Sequence, residues 1–381
     1  KAESGVGARD IREIDRVKKN SEYEGLRPSC PNCKIALAKE REIGRHVDTA
    51  EGYVGYDRMR YKCHKCGRGF YPLDLSLELS TRSRMSRKKE RLLARLAARL
   101  PYEEAKAVYE ELSYQKTGSM TIHRTAQALG QKIRQTLPEI SLDSEQGKRH
   151  VTADGAMIHI RKEGWKEALV GAVYEVDESR EATEIIYAAR LGNREALGDD
   201  LYRLAGQPES QASKGIAFVA DGANWLDEIK DLQFPLATRI LDQWHAREYL
   251  WGLANEFYEQ GSQKAQEWAK EKIRLLKRNK QRSLKRSFCR MKPTTKKQRE
   301  ILADTKRYFE NHGHQMNYPR YQKMGFHIGS GVAEGACKHV IQSRFKRAGM
   351  RWSRPGAENL LALRGLHVND KWDLLATYQR N

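Results

Sequence analysis

The chain contains no run of eighteen or more apolar residues and no signal-peptide pattern, so neither a membrane-spanning helix nor a secreted precursor is expected. Cysteine is scarce: six residues in 381 are too few to staple a secreted scaffold of this length. No internal repeat or low-complexity tract stands out, and no Ser-His-Asp or Cys-His set suggests a side-chain nucleophile. Acidic charge is the other shortage. Fifty aspartates and glutamates face seventy lysines and arginines, which leaves a net charge of +20. Such an excess points to a polyanionic partner. A membrane surface would attract it too, but the missing apolar run favours a soluble intracellular protein.

Against these absences, 39% of the residues are hydrophobic and both helical and strand periodicities are present, enough to build a core in two or three domains. The chain opens on Lys1, not methionine, which leaves room for a preceding piece. Residues 1–27 read as a charged arm. Residues 28–76 carry Cys30-Pro-Asn-Cys33 and Cys63-His-Lys-Cys66-Gly67, separated by a strand-like segment. Two such pairs make a zinc ribbon: each forms a knuckle whose two thiolates reach one ion, and Gly67 suits the tight turn. Four unrelated buried cysteines would not fall into paired spacing. His64 lies inside the second knuckle and is not expected to bind the ion. Four protein ligands close the site, so one structural Zn²⁺ is expected, and the basic neighbours Lys34, Arg58, Arg60, Lys62, Lys65 and Arg68 lean towards nucleic acid. Residues 83–137 predict three helices, over 84–100, 102–112 and 120–133, with Gly118 in the turn before the third. That arrangement fits a helix-turn-helix presenting His123, Arg124, Gln127 and Gln131 to DNA. A plain helical bundle is the bland alternative, and the basic charge tips the choice.

From residue 149 the pattern changes. Residues 150–160, HVTADGAMIHI, alternate as a strand does, and Asp154 interrupts them. A carboxylate there is costly to bury unless it is paired or holds a metal. Strands are expected over 150–160, 167–176 and 182–190 as a meander. A helix over 194–205 follows, then a buried strand over 215–221 ending at Asp221, a helix over 224–232, a strand over 237–241 before Asp242, and a helix from His245 through Tyr258. Residues 259–325 read as a basic helical insertion whose excess of one sign suits a nucleic-acid backbone. In residues 326–381, the turn FHIGSG opens a helix over 332–346 with Ser330 as N-cap and Glu334 in its first turn, and a last helix covers 357–368. This order is the layout of an α/β ribonuclease H-like core. In that layout strands one and four lie parallel and adjacent, so Asp154 and Asp221 can face each other while a helix brings Glu334. Three hard oxygen ligands would bind two Mg²⁺ or Mn²⁺ ions for an in-line phosphoryl displacement.

Five segments in order, VTADGAMI, FVADGANWLDEI, ILDQWHAREYLW, IGSGVAEGACKHVI and KRAGMRWSRPGAENLLALR, resemble the ISKra group of bacterial insertion-sequence transposases, DDE transposases with a ribonuclease H-like core. The resemblance runs from about residue 150 to the C-terminus. It implies that Asp154, Asp221 and Glu334 are the catalytic metal ligands, that Asp242 and His245 form a D-x-x-H element supporting them, and that a helical insertion separates the second Asp from the Glu. It further implies a cytoplasmic, nucleoid-associated bacterial protein that cleaves and joins double-stranded DNA at transposon ends and target, as a homodimer or larger assembly. Two other classes stay open: a domesticated DNA-binding protein without catalysis, and a ribonuclease H-like nuclease or resolvase that hydrolyses without strand transfer.

Each residue also has a bland reading. Asp154 and Asp221 alone would be strand-end acids, and Glu334 a helix-dipole glutamate with Glu358 as its rival. Asp242 and His245 read equally well as an N-cap followed by a first-turn histidine. Trp165, Trp225, Trp244 and Trp251 are expected in the core. Trp352, between Arg351 and Arg354, is the expected stacking platform for an unpaired base, with Lys338, Arg344, Lys346 and Arg347 as phosphate clamps. Cys289 and Cys337 read as plain thiols.

Overall fold

The computed structural model describes residues 28–77, 79, 84–136, 140–142, 148–177, 179, 181–206 and 215–374; the expected arm over residues 1–27 lies outside them. The chain divides into two compact units, residues 1–137 with 370–381, and residues 138–369.

In the first unit β1 (Ala38–Thr49) and β2 (Gly52–Lys62) form an antiparallel hairpin, and β3 (Gly69–Phe70) pairs with β2. The Thr49 hydroxyl donates to the Gly52 carbonyl at 2.8 Å across the hairpin turn, where Gly52 takes a φ of +129° that a side chain would oppose. Val47, Val54, Tyr56 and Leu73 form a small core on one face. Asp74, on the short helix α1 (Pro72–Ser76), is almost fully buried there. Arg45, Arg58 and the Tyr56 hydroxyl converge on its carboxylate, which makes the burial tolerable. Three helices follow: α2 (Arg87–Arg99), α3 (Tyr102–Ser113) and α4 (Ser119–Thr136). Ser86 caps α2 by accepting from the Lys89 amide, and Pro101 leads into α3. Their buried positions are rich in alanine (Ala94, Ala97, Ala98, Ala105, Ala126), which lets the helix backbones approach closely.

The second unit is built on a five-stranded sheet of order β6-β5-β4-β7-β8. β4 (Lys148–Ile160), β5 (Gly164–Val176) and β6 (Ala182–Leu191) meander antiparallel; β7 (Ile216–Ala220) runs parallel to β4, and β8 (Thr238–Leu241) parallel to β7. The second strand starts at Gly164, earlier than the expected 167, because β4 and β5 stay paired down to Ile160 and Gly164. All five residues of β7 are buried, as a parallel strand covered on both faces requires. The crossovers carry α5 (Arg194–Leu204) and α6 (Asn224–Gln233). Gly171 on β5 lets α5 settle onto the sheet: a Cβ there would lie 2.8 Å from Leu201 and 3.1 Å from the Thr152 carbonyl.

After α7 (Gln243–Phe257) the basic segment forms α8 (Gln263–Lys277), α9 (Gln281–Cys289) and α10 (Lys296–His312). Leu276, Leu284, Phe288, Leu302 and Phe309 share one core with Leu250 and Leu253 of α7 and with Ala217, Val219 and Ile240 of the sheet. The insertion is thus packed into the unit by its apolar stripe, with Lys270, Arg274, Lys277, Arg282 and Arg286 left exposed. The short α11 (Tyr318–Lys323) precedes the FHIGSG turn. The helix expected over 332–346 is broken into α12 (Gly331–Ala336), a π-helical turn (Cys337–Gln342) and α13 (Ser343–Phe345), before α14 (Arg354–Val368) packs against β6. No described helix is long and apolar enough to cross a membrane.

Candidate active site and metal centre

Three neighbouring parallel strands each bring an acid to one part of the sheet: Asp154 lies within β4, and Asp221 and Asp242 directly follow β7 and β8. β4 and β7 pair through His150–Ala217 and Val151–Phe218; Asp154 stands three residues beyond Val151, and Asp221 three beyond Phe218. β7 and β8 pair through Ala220 and Leu241, so Asp221 and Asp242 each follow the last paired residue. The C-terminal edge of parallel strands is where open α/β sheets place their ligands. Burial raises the pKa of Asp154, the Gly155 amide and the Cys337 thiol lower it again, and the nearby Asp221 charge raises it. The Asp221 carboxylate accepts from the Ala223 amide at 2.9 Å, which turns the chain into α6.

Asp242 stands where the N-cap reading expects it, and it also touches His245. It is the N-cap of α7, accepting from the Trp244 amide at 2.9 Å, and its other oxygen meets His245 Nδ1 at 3.0 Å and the Ser330 hydroxyl at 2.5 Å. Burial works against the charged carboxylate, but these hydrogen bonds together hold its pKa below the ordinary value. The Asp242 hydrogen bond in turn raises His245 to about 9 against the cost of burial, with the Asp221 charge adding to the effect. At neutral pH the site edge therefore carries an imidazolium. Ser330 stands at the N-cap position as expected, but its hydroxyl makes no cap hydrogen bond and is spent on Asp242.

The helix bearing Glu334 is fixed at two points on one face. Ser330 donates to Asp242, and the Cys337 thiol donates to Asp154 Oδ2 at 3.2 Å. At about 100° per residue, Glu334 falls within about 40° of Ser330 and 60° of Cys337 around the helix. α12 accordingly packs on β4 and β5. The Glu334 carboxylate itself is exposed and accepts from Lys338 Nζ at 2.5 Å. Among the described residues the three acids do not form a set whose oxygens all lie within 4.8 Å of one another. Asp154, Asp221, Asp242 and His245 thus form one electrostatic cluster, whereas the Glu334 carboxylate is turned to Lys338. Asp154 and Asp221 are half-buried hard oxygen donors, and the Asp221 charge adds to the rise of the Asp154 pKa; donors of this kind fit a divalent cation.

A second device was not legible as function. His150, fully buried on β4, donates from Nδ1 to the Lys148 carbonyl at 2.8 Å and accepts at Nε2 from the His327 amide at 2.9 Å. Burial drives its pKa down to about 3, so the ring is neutral and tethers the FHIGSG turn to the sheet.

Several expected DNA contacts are corrected. Trp352 is only 8% exposed: its indole N–H donates to the Phe345 carbonyl and its ring packs on Phe345, so neither face can receive a base. Arg344, 1% exposed, lies over that indole and cannot clamp a phosphate from there. Arg354 is paired with Glu163, and Lys338 with Glu334. Lys346, Arg347 and Arg351 are exposed. Glu358 lies 3.8 Å from Arg354, as Glu334 lies beside Lys338. Trp244 and Trp165, expected in the core, are 58% and 61% exposed, and Arg247 lies 4.0 Å over the Trp244 ring beside His245. Cys337, read as a plain thiol, touches Asp154. In the first unit Arg124 is exposed on α4, Gln127 is half-buried, and His123 packs edge-on against Tyr102.

The four paired cysteines come together as the spacing predicts: their sulfurs all lie within 4.8 Å of one another and can hold a metal ion. The two knuckles repeat one hydrogen-bond pattern. The Lys34 amide donates to the Cys30 carbonyl and the Gly67 amide to the Cys63 carbonyl; Lys34 and Gly67 both take positive φ. The Cys66 amide draws the Cys63 thiol down to about 7, while burial and the Cys66 thiol push Cys33 up to about 12. An all-sulfur set this close can hold a soft cation, which would draw the thiols into their thiolate form.

No family model matches the chain. It is 23% identical over 369 residues, 94% of its length and 73% of the relative's, to a UPF0236 protein of Caldanaerobacter subterraneus subsp. tengcongensis whose name joins eleven loci. It is 25% identical to another UPF0236 protein of that organism over 374 residues, 94% of this chain and 69% of the relative. A UPF0236 protein in the vanSb 3′ region of Streptococcus gallolyticus is 24% identical over 362 residues, 90% and 76% of the two chains. The chain is therefore similar along nearly its whole length to the UPF0236 proteins.

Proposed function

We propose that the second unit is a ribonuclease H-like core and that the chain is a DDE transposase, related to the ISKra group, that cleaves and joins DNA at the ends of a mobile element. The observation that carries this reading is the placement of Asp154 within β4, and of Asp221 and the Asp242–His245 pair at the ends of the two strands parallel to it, beneath a helix that presents Glu334. The strand order, three antiparallel strands followed by two parallel ones, supports it. So does the net charge of +20. A relative's name spanning eleven loci fits a sequence that copies itself within a genome.

Asp154 and Asp221 would hold two Mg²⁺ or Mn²⁺ ions, joined by Glu334 once it leaves Lys338. Such ions activate an attacking hydroxyl and stabilise the departing oxygen. His245, held cationic by Asp242, faces the same edge and neutralises phosphate charge there. Lys338, released by Glu334, is then available to a DNA phosphate. The four-cysteine site of the first unit would hold one structural Zn²⁺, and α4 would lie against duplex DNA with Arg124 and Gln127 towards it.

The test uses DNA flanking the gene as substrate with Mn²⁺. Asp154→Ala is expected to lose about 10³-fold or more in cleavage rate, the equivalent of the several kcal/mol a catalytic metal contributes, while duplex binding is retained. Cleavage by that variant at the wild-type rate would remove Asp154 from the chemistry. The Glu334–Lys338 ion pair favours one second reading, a DNA-binding protein that has kept the core without the reaction. Wild-type chain that binds these ends but cuts none of them in Mn²⁺ would establish it.

A further inference from the structure

A cavity of about 560 Å³ opens between α7 and α10, lined among others by Glu248, Tyr249, Asp304, Tyr308, Asn311 and His312. Its size falls within the roughly 300–1,000 Å³ of small-ligand pockets, enough for one nucleoside and far too small for a duplex. Its main feature is an aromatic stack. The Tyr249 and Tyr308 rings lie parallel, 3.8 Å between centroids and 15° between planes. Tyr308 is the inner member, and among the described residues its buried hydroxyl has no hydrogen-bond partner. Tyr249 is the outer member and stays 37% exposed. The pocket adjoins the acid cluster: Tyr308 and His312 close on Gly222, the residue after Asp221, so tightly that a Cβ there would lie 3.1 and 3.0 Å from them.

We propose that this cavity binds one unpaired DNA base bearing an exocyclic amino group, stacked on Tyr249 beside the acid cluster. The proposal rests on the reading that the cluster acts on DNA. A stacked aromatic pair with an open outer face is a platform for a third ring, and every base offers a π-face. The polar lining selects which part of the nucleotide enters. Glu248 and Asp304 bring two carboxylates, and Arg307 is already paired with Asp304, so a phosphate would be repelled. Carboxylates accept from N–H groups, and guanine offers a ring N–H and an amino group side by side. Adenine and cytosine offer an amino group alone, and thymine offers none. His312 is held neutral by burial, which lowers its pKa, so it adds no positive charge. The exposed cations of α8 and α9 can carry the strand while the pocket takes the base.

The test measures binding of the full, zinc-loaded chain to twelve-residue oligothymidylates carrying one central guanine, adenine or cytosine, or none. A fifth oligomer with central 2-aminopurine reports stacking by quenched fluorescence. The guanine oligomer is expected to bind about tenfold more tightly than all-thymine, and the 2-aminopurine to be quenched. Tyr249→Ala should abolish both effects, and Tyr249→Phe, which keeps the ring, should retain both. Asp304→Asn should keep the quenching and lose the guanine preference. Equal binding of all oligomers by wild type, or undiminished quenching in Tyr249→Ala, would overturn the site. Free dGMP competing as well as the guanine oligomer would overturn the claim that the base arrives in a strand. Wild-type chain that cuts end-containing DNA in Mn²⁺ yet shows no base preference would defeat the pocket and leave the transposase reading intact. Base preference without any cleavage would do the reverse.

Discussion

His150 and His245 titrate in opposite senses, and both senses follow from what each ring touches. His245 is raised to about 9 by its hydrogen bond to Asp242, so the folded chain holds that proton more tightly than the unfolded one. Its contribution to stability is complete below the unfolded pKa near 6.5 and is lost as pH rises through 9. His150 is depressed to about 3 by burial, so the unfolded chain binds the proton first as pH falls. Stability should therefore decline from pH 6.5 downward, by up to about 1.4 kcal/mol per unit from this group. Denaturant midpoints at pH 5, 6.5 and 9 check both signs: His245→Gln should flatten the alkaline limb, and His150→Gln the acid limb. A wild-type midpoint that rises from pH 6.5 to 5 would contradict the assignment of His150. At this scale the sequence was partly legible. Asp154 stood out as an acid in an apolar strand, whereas His150 looked like any strand residue because its partner, the His327 amide, lies 177 positions away.

The helix of Glu334 owes its place to two small side chains, Ser330 and Cys337, seven residues apart on one face. Ser330 is buried against a carboxylate that is itself 2% exposed, so Ser330→Ala leaves Asp242 short of a donor. The expected cost is about 1–3 kcal/mol in unfolding free energy, measured by urea titration at pH 7, with unchanged zinc content. A cost near zero would mean that the hydroxyl is not needed to hold the turn. The π-helical turn that follows re-aims the residues after Cys337, so those expected on one regular helix separate: Lys338 and Lys346 point out while Arg344 turns in. Periodicity over residues 332–346 assumed 3.6 residues per turn and could not show this. The same limit explains Trp352, whose basic neighbours suggested a nucleic-acid surface. Its main-chain bridge to Ile160 draws the indole inward instead. Strand order was more legible, because a fully apolar β7 ending in an acid admits few placements other than beside β4.

Over the whole molecule, a different metal is proposed for each unit, and each proposal can be tested without the other. The paired cysteines of the first unit were readable from spacing alone, since a knuckle is a local structure. One zinc per chain is expected by metal analysis, and Cys30→Ser with Cys63→Ser should lose it; full zinc in that variant would contradict the assignment. The acids of the second unit were readable only as a set, because they lie 67 and 113 positions apart and only the sheet register brings the first two level. The basic insertion was legible as helical and cationic, but its burial in the core of the sheet was not, since that depends on which apolar stripe meets which strand. The most direct measurement is anomalous diffraction from crystals of the full chain soaked in Mn²⁺. Manganese between the carboxylates of Asp154 and Asp221, with Glu334 swung from Lys338 towards it, is the predicted result. A well-ordered sheet edge with no manganese there, and Glu334 still paired with Lys338, would contradict the account.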